Sequence, residues 1–344
     1  MVIKKKNAIL NRQMETSNRQ TYFDFLRGFA ILLVIGIHTY SVRPFEGTSN
    51  IIQIGFREAI NFAVPLFLAI SGFFIGKKRL DSHGEYLTFL KKQVSRVYLP
   101  AVVWSIPIAF LWIYKGSGII ESIAKVLLCN SFAPYYFIVL IIQFYILHPI
   151  IKKLTTYPIV GLGIILIINT VFLFLYNYYF NLDGLPTVVC VGPFVYWIVF
   201  YYLGVYMSES QRDYRLFIPI VLILVGFVSQ MIETRYLMSI GKTGVGIKIS
   251  SWVYSAGVIL LLFSKKVEDV IKNDNKFYHQ IVKLGMLSFG IYLTHVYFLI
   301  VQGSFLGSKN WVISFVIVTV LTALFVSVLK KVMPSRLWRL LGLQ

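Results

Sequence analysis

Charge is scarce in this chain. Of its 344 residues only 14% are Asp, Glu, Lys or Arg, and just 14 are acidic. A water-soluble fold of this length needs a far more polar surface. Cysteine is limited to Cys129 and Cys190, and histidine to five residues. Neither recurs at a metal-binding spacing, so no metal site is expected. Internal repeats and low-complexity stretches are lacking, and no connecting segment is long enough for a separate soluble domain. The first 22 residues are polar and basic, and the apolar block after them has no small-residue cleavage site, so no removable signal peptide is expected.

Apolar residues fill the space that charge leaves. They make up 57% of the chain, and the mean hydropathy is +0.73. They come in blocks of roughly 18–20 residues, the length that crosses a bilayer. The expectation is an all-α polytopic membrane protein with about ten spans, near 23–42, 58–76, 99–114, 134–151, 158–176, 192–208, 216–233, 250–264, 284–303 and 311–329. The net charge of +19 is not a nucleic-acid signature, because no binding module accompanies it. Lys and Arg favour alternate connections by roughly three to one, which puts both termini in the cytoplasm. The domain reading is a basic cytoplasmic tail over 1–22, one membrane domain over 23–329 and a second basic tail over 330–344. The composition suits a bacterial plasma membrane. The stretch from Lys77 to Tyr98 reads as a basic interfacial helix leading into the third span. Both cysteines fall outside on this topology, which leaves a disulfide open.

The block TYFDFLRGFAILLVIGIHTYS, Thr21 to Ser41, carries the clearest chemistry. Arg27 and His38 are eleven residues apart, so they return to nearly one helix face, roughly 16 Å apart along the axis. Ile31 and Val34 lie between them. Ionisable groups within a membrane span face a protein interior or a wet cavity. Histidine is suited to take a proton from a hydroxyl near neutral pH. A plain hydrogen bond to a neighbouring helix explains His38 equally well. Arg27 either snorkels with Asp24 as its i,i+3 partner or binds an anionic ligand.

Other candidates have similarly double readings. Glu58 and Asn61 begin the second span at the outer level of His38, either as an interfacial helix start or as acceptor contacts. Pro65 breaks that span, and Ser71-Gly72 permits close packing. Arg96 and Lys92 are inner anchors or phosphate contacts. His148 reads as an interfacial anchor, and Gln143 and Asn169 as interhelical hydrogen-bonding groups. Span nine holds Ser288, Tyr292 and His295, the last two being i,i+3 neighbours.

Four motifs occur in order: FLRG…IxxH in span one, VPLFxxxSGFF in span two, RVYLP at the end of the basic helix, and SFGIYLTH in span nine. Together they resemble the acyltransferase-3 family of integral membrane O-acyltransferases. The resemblance implies that acyl-coenzyme A is used from the cytoplasm and that the acyl group reaches an extracytoplasmic hydroxyl. It makes His38 the catalytic histidine and Arg27 the motif arginine near the coenzyme. It makes Arg96 a phosphate contact, with Lys92 and Ser71 beside it. One departure stands out: many members carry a second arginine where this chain has Gln93.

The leading functional expectation is therefore transfer of an acyl group, acetyl first, from acyl-coenzyme A to a cell-surface polysaccharide or its lipid-linked precursor. The coenzyme is a co-substrate, and no tightly bound cofactor is expected. Tyr292 or His295 is a candidate for oxyanion support. The alternative is a transporter or flippase of a lipid-linked saccharide or acyl carrier. Against it, no pair of corresponding broken helices suggests inverted repeats. A scaffold without chemistry gives no reason for polar residues on one face of span one.

Overall fold

The computed structural model describes the backbone of residues 2–42, 50–78, 80, 82–180, 182, 184–210, 212–242, 244–272, 275–303 and 310–343, with side chains from Thr21 onward except those of residues 42 and 50. Among the described residues there are helices and no strands. In chain order the α-helices are α1 (Val2–Val42), α2 (Asn50–Ala59), α3 (Ala63–Gly76), α4 (His83–Tyr114), α5 (Ile119–Leu127), α6 (Tyr136–Leu154), α7 (Pro158–Phe174) and α8 (Thr187–Cys190). They continue with α9 (Ile198–Glu209), α10 (Phe217–Ser239), α11 (Ile249–Phe263), α12 (Lys265–Ile271), α13 (Lys276–Met286), α14 (Ser288–Val301), α15 (Trp311–Val332) and α16 (Ser335–Leu341).

Among the described residues seven helical segments are long and apolar enough to cross a membrane, and an eighth if the bent pair α13–α14 is one span. The protein is a multi-pass membrane protein. Among the described residues the expected ten are not reached: two of the expected segments hold short helices, and a third holds the second helix of the bent pair. The segments 192–208, 250–264 and 284–303 contain helices of only 12, 15 and 14 residues. Hydrophobic runs could not reveal this, because α9 is apolar on every face: Ile198 to Val205 are all buried. Its approach is a short 3-10 turn over Phe194–Tyr196 flanked by non-helical backbone, which survives at depth only with protein partners. Gln143 supplies them, donating from Nε2 to Gly192 O at 2.9 Å and accepting from Phe194 N at 3.1 Å. Asn169 Nδ2 donates to Val195 O at 3.0 Å. The α13–α14 pair bends by 80° between Met286 and Ser288.

Glycines let two helix pairs approach at backbone distance. A Cβ on Gly285 of α13 would stand 1.7 Å from Asp24 O, and one on Gly28 of α1 would stand 2.0 Å from Ile281 O. Gly204 of α9 likewise meets Ala69 O at 2.0 Å, and Gly72 of α3 meets Tyr201 O at 2.4 Å. The Ser71-Gly72 step is thus a packing step. These contacts fix the height of α1 and α3, the two helices that carry the FLRG and SGFF motifs.

Other expectations change in detail. Pro65 lies in the first turn of α3, where its missing N–H costs no helical bond; the break comes before it, between α2 and α3. The basic stretch does run into the third span, as the first half of the continuous α4, opened by a Ser82–Glu85 capping box. His148 is 1% exposed and shares a hydrogen bond with the Tyr201 hydroxyl at 3.2 Å, so it is a core residue. The C-terminal segment is packed rather than a free tail, since α16 lies against α4 and Leu343 is buried. Cys129 and Cys190 are not joined in a disulfide.

Candidate functional site

One cavity of about 580 Å³ runs between α1, α3, α4, α6 and α14. The i, i+3/i+4 geometry of α1 turns Asp24, Arg27, Val34 and His38 onto its wall. One end is cationic, lined by Arg27, Lys78, Arg96 and Arg339. Its middle is apolar, lined by Val34, Phe67, Ile70, Phe137 and Ile141, with Ser71 and Tyr145 among them. At the far end stand His38, Pro134, Tyr136 and Tyr292.

Arg27 is held from two sides. Its Nη1 donates to Asp24 Oδ1 at 2.6 Å, and its guanidinium lies 4.9 Å from the Phe74 ring centre. The neighbouring carboxylate and ring restrict the side chain without closing the cavity.

His38 faces a second histidine. Its ring centre is 5.3 Å from that of His295, with the planes tilted by 35°. His295 itself is fully buried on α14. Its Nδ1 lies 2.7 Å from Tyr292 O. A carbonyl only accepts, so Nδ1 carries the proton and the neutral ring keeps its lone pair on Nε2. That Nε2 has no protein partner among the described residues. The Tyr292 ring lines the cavity, but its hydroxyl donates to Pro134 O and presents no free donor.

The structure does not bring Glu58 and Asn61 into this cavity. Glu58 is fully buried in an ion pair with Lys248, Oε1 to Nζ 2.8 Å, and also accepts from Thr234 Oγ1 at 3.1 Å. Asn61 Nδ2 donates to Gly246 O at 2.7 Å and its Oδ1 accepts from Arg57. These residues join α2 to the segment before α11. Lys92 lines a shallower groove beside the cavity, shared with Lys78, Phe89 and Gln93. Among the described residues no three His, Cys, Asp or Glu side chains gather to hold a metal ion.

Two lining cations escaped the reading of the sequence. Lys78 was legible in principle: Ser71, Phe74, Ile75 and Lys78 repeat at helical spacing on one stripe. Arg339 had no local signal, since its place depends on α16 folding back against α4.

The fold and the cavity define a multi-pass membrane protein whose interior links a cationic end to a pair of histidines. A family model described as an acyltransferase domain matches residues 20–331, nearly the whole chain, and the chain belongs to the acyltransferase-3 family. It is an acyltransferase-type protein. Two curated relatives are similar over parts of their length. An amino-acid racemase of Enterococcus faecalis is 28% identical over 211 residues, 56% of this chain and 28% of that protein. The nodulation protein NolL of Mesorhizobium japonicum is 29% identical over 156 residues, 44% of this chain and 40% of that protein. The matches thus span well under half of either relative. No solved structure matches the chain.

Proposed function

We propose that this protein transfers an acyl group, acetyl first, from acyl-coenzyme A at the Arg27 end to a hydroxyl that enters at the His38 end. The acceptor class is a cell-surface polysaccharide or its lipid-linked precursor. The membrane is a bacterial plasma membrane, with the Arg27 end and both termini facing the cytoplasm. The positive-inside bias supports that orientation, and so does the meeting of Arg339 with Arg27 and Arg96 at one end.

The observation that carries the reading is that Arg27 and His38 line one cavity, roughly 16 Å apart along α1. That span matches an extended pantetheine arm, and the apolar middle suits both arm and acyl chain. A thioester is already activated, so the site must supply proximity and a base. His38 takes the proton of the acceptor hydroxyl, the oxygen bonds to the thioester carbonyl carbon, and the carbon–sulfur bond breaks. The leaving thiolate takes the proton back from His38. The His295 ring, 5.3 Å from that of His38 between centres, forms part of the surroundings of this base.

The test is transfer in inside-out vesicles from cells that make the native glycan, with radiolabelled acetyl-coenzyme A supplied to the exposed face. Label on a lipid-linked or polymeric glycan with wild type, and its loss with His38→Ala, is the expected result. Near-full transfer by a well-folded His38→Ala protein refutes the mechanism. No label with acetyl or succinyl donors, both proteins folded, favours a transporter.

A further inference from the structure

Four cations gather at the inner mouth of the cavity. Lys78, Arg96 and Arg339 line it around the neutral Gln93, and Lys92 extends the cluster along the adjoining groove. Among the described residues, none of the four has a carboxylate within ion-pair distance, whereas Arg27 next to them is matched by Asp24. Partial burial, followed by the charges of Lys92 and Arg96, holds Lys78 below the ordinary lysine pKa. Lys78 therefore sits close enough to Lys92 and Arg96 to be repelled by them. An arrangement of this kind is relieved by a polyanion that meets several of them at once.

Arg339 is delivered there by a built support. Trp104 Nε1 of α4 donates to Leu341 O at 3.2 Å, and Leu343 N caps back onto Trp338 O at 2.9 Å. Gly342 ends α16 at φ 70°, and a Cβ there would stand 2.9 Å from the Leu293 side chain. Only glycine meets both demands. The guanidinium of Arg339 then donates to Ser95 Oγ, beside Arg96 and one half-turn from Gln93. Three prongs thus come from three separate elements: the end of α3, α4 and α16.

We propose that Arg339, Lys78 and Arg96 form a phosphate clamp for the nucleotide end of acyl-coenzyme A, its 3′-phosphate and pyrophosphate. This rests on the acyl-coenzyme A reading above. Arginine's planar fork suits phosphate oxygens, and several donors from three elements discriminate a polyphosphate from a simple carboxylate. A phospholipid headgroup shares the phosphate chemistry, so the test must separate the two sources.

The full chain is placed in zwitterionic nanodiscs and titrated calorimetrically with coenzyme A, dephospho-coenzyme A and pantetheine. Arg339→Gln weakens coenzyme A binding about tenfold, and Arg339→Lys weakens it less, in keeping with the loss of one charge-assisted contact. Pantetheine, which has no phosphate, binds both proteins alike. Matched thermal unfolding checks the fold, and Lys78→Gln, on another element, gives the same pattern if Arg339→Gln unfolds. Wild-type affinity for coenzyme A in folded Arg339→Gln overturns the clamp alone. A wild-type chain that binds no coenzyme A overturns the donor reading as well. Binding that anionic lipid abolishes in wild type but spares in Arg339→Gln assigns Arg339 to a headgroup and also overturns the clamp.

Discussion

Removing Lys248 should destabilise this protein more than removing Lys248 and Glu58 together. Both are 0% exposed, and their charged atoms are 2.8 Å apart. At an effective dielectric of about 20 the Coulomb attraction at 2.8 Å is about 6 kcal/mol, set against the desolvation of both ions. Lys248→Met leaves a buried carboxylate with the Thr234 hydroxyl on Oε1 and no partner on Oε2. The expected cost is about 3–5 kcal/mol. Glu58→Leu with Lys248→Met removes both charges of the pair, while Thr234 Oγ1 stays within hydrogen-bond distance of Gly244 O at 3.2 Å and Arg57 keeps its bond to Asn61 Oδ1. The double variant should lie within about 1 kcal/mol of wild type. Thermal unfolding in nanodiscs closes the cycle. A double variant as unstable as the singles refutes the pairing argument. Acceptor KM provides a second readout: a large rise in the folded double variant returns Glu58 to the acceptor site, from which its burial now removes it.

Three further outcomes follow from single contacts. Tyr292→Phe removes the donor to Pro134 O and should cost about 1 kcal/mol of stability with kcat nearly unchanged; a hundredfold fall in kcat without loss of stability restores Tyr292 as an oxyanion donor. Gly285→Ala puts a Cβ 1.7 Å from Asp24 O and should force α1 from α13, costing about 1–3 kcal/mol and lowering transfer by displacing Arg27; unchanged unfolding and activity contradict the close packing. Glu268 lies outside the spans on α12: burial alone would raise its pKa, but the Lys272 hydrogen bond and the charges of Arg212, Lys272 and Lys265 outweigh it and hold it below the usual value. A carboxylate lowered on folding stabilises the protein above its unfolded pKa, and that contribution is lost as pH falls through the folded pKa. Glu268→Gln should therefore be less stable at neutral pH and lose less than wild type on acidification; parallel stability curves in the acid range refute the assignment.

Membrane solubility and helical class were legible from the sequence because both follow from local composition. A run of apolar residues must bury its backbone hydrogen bonds internally wherever it sits in lipid. The α1 motif was legible for a similar reason, since a regular helix converts the eleven-residue step from Arg27 to His38 into a shared face. Helix length was not. The 192–208 segment is apolar enough to resemble a span, yet α9 has only 12 residues, because Gln143 and Asn169 satisfy the unwound backbone before it. Composition along one segment carries no trace of partners on other helices.

The same division runs through the site. Arg27, Ser71 and His38 carry their positions in local motifs. The facing of His295 toward His38 depends on how α14 packs after its 80° bend. Glu58 looked like an open acid at a helix start, until Lys248, 190 residues later, closed on it. Arg339 looked like one charge in a basic tail until α16 folded onto Trp104 and brought it to Arg96. Local sequence sets helix faces through periodicity. Which faces meet is decided by packing and charge pairing between residues far apart in the chain, and only the tertiary structure resolves that.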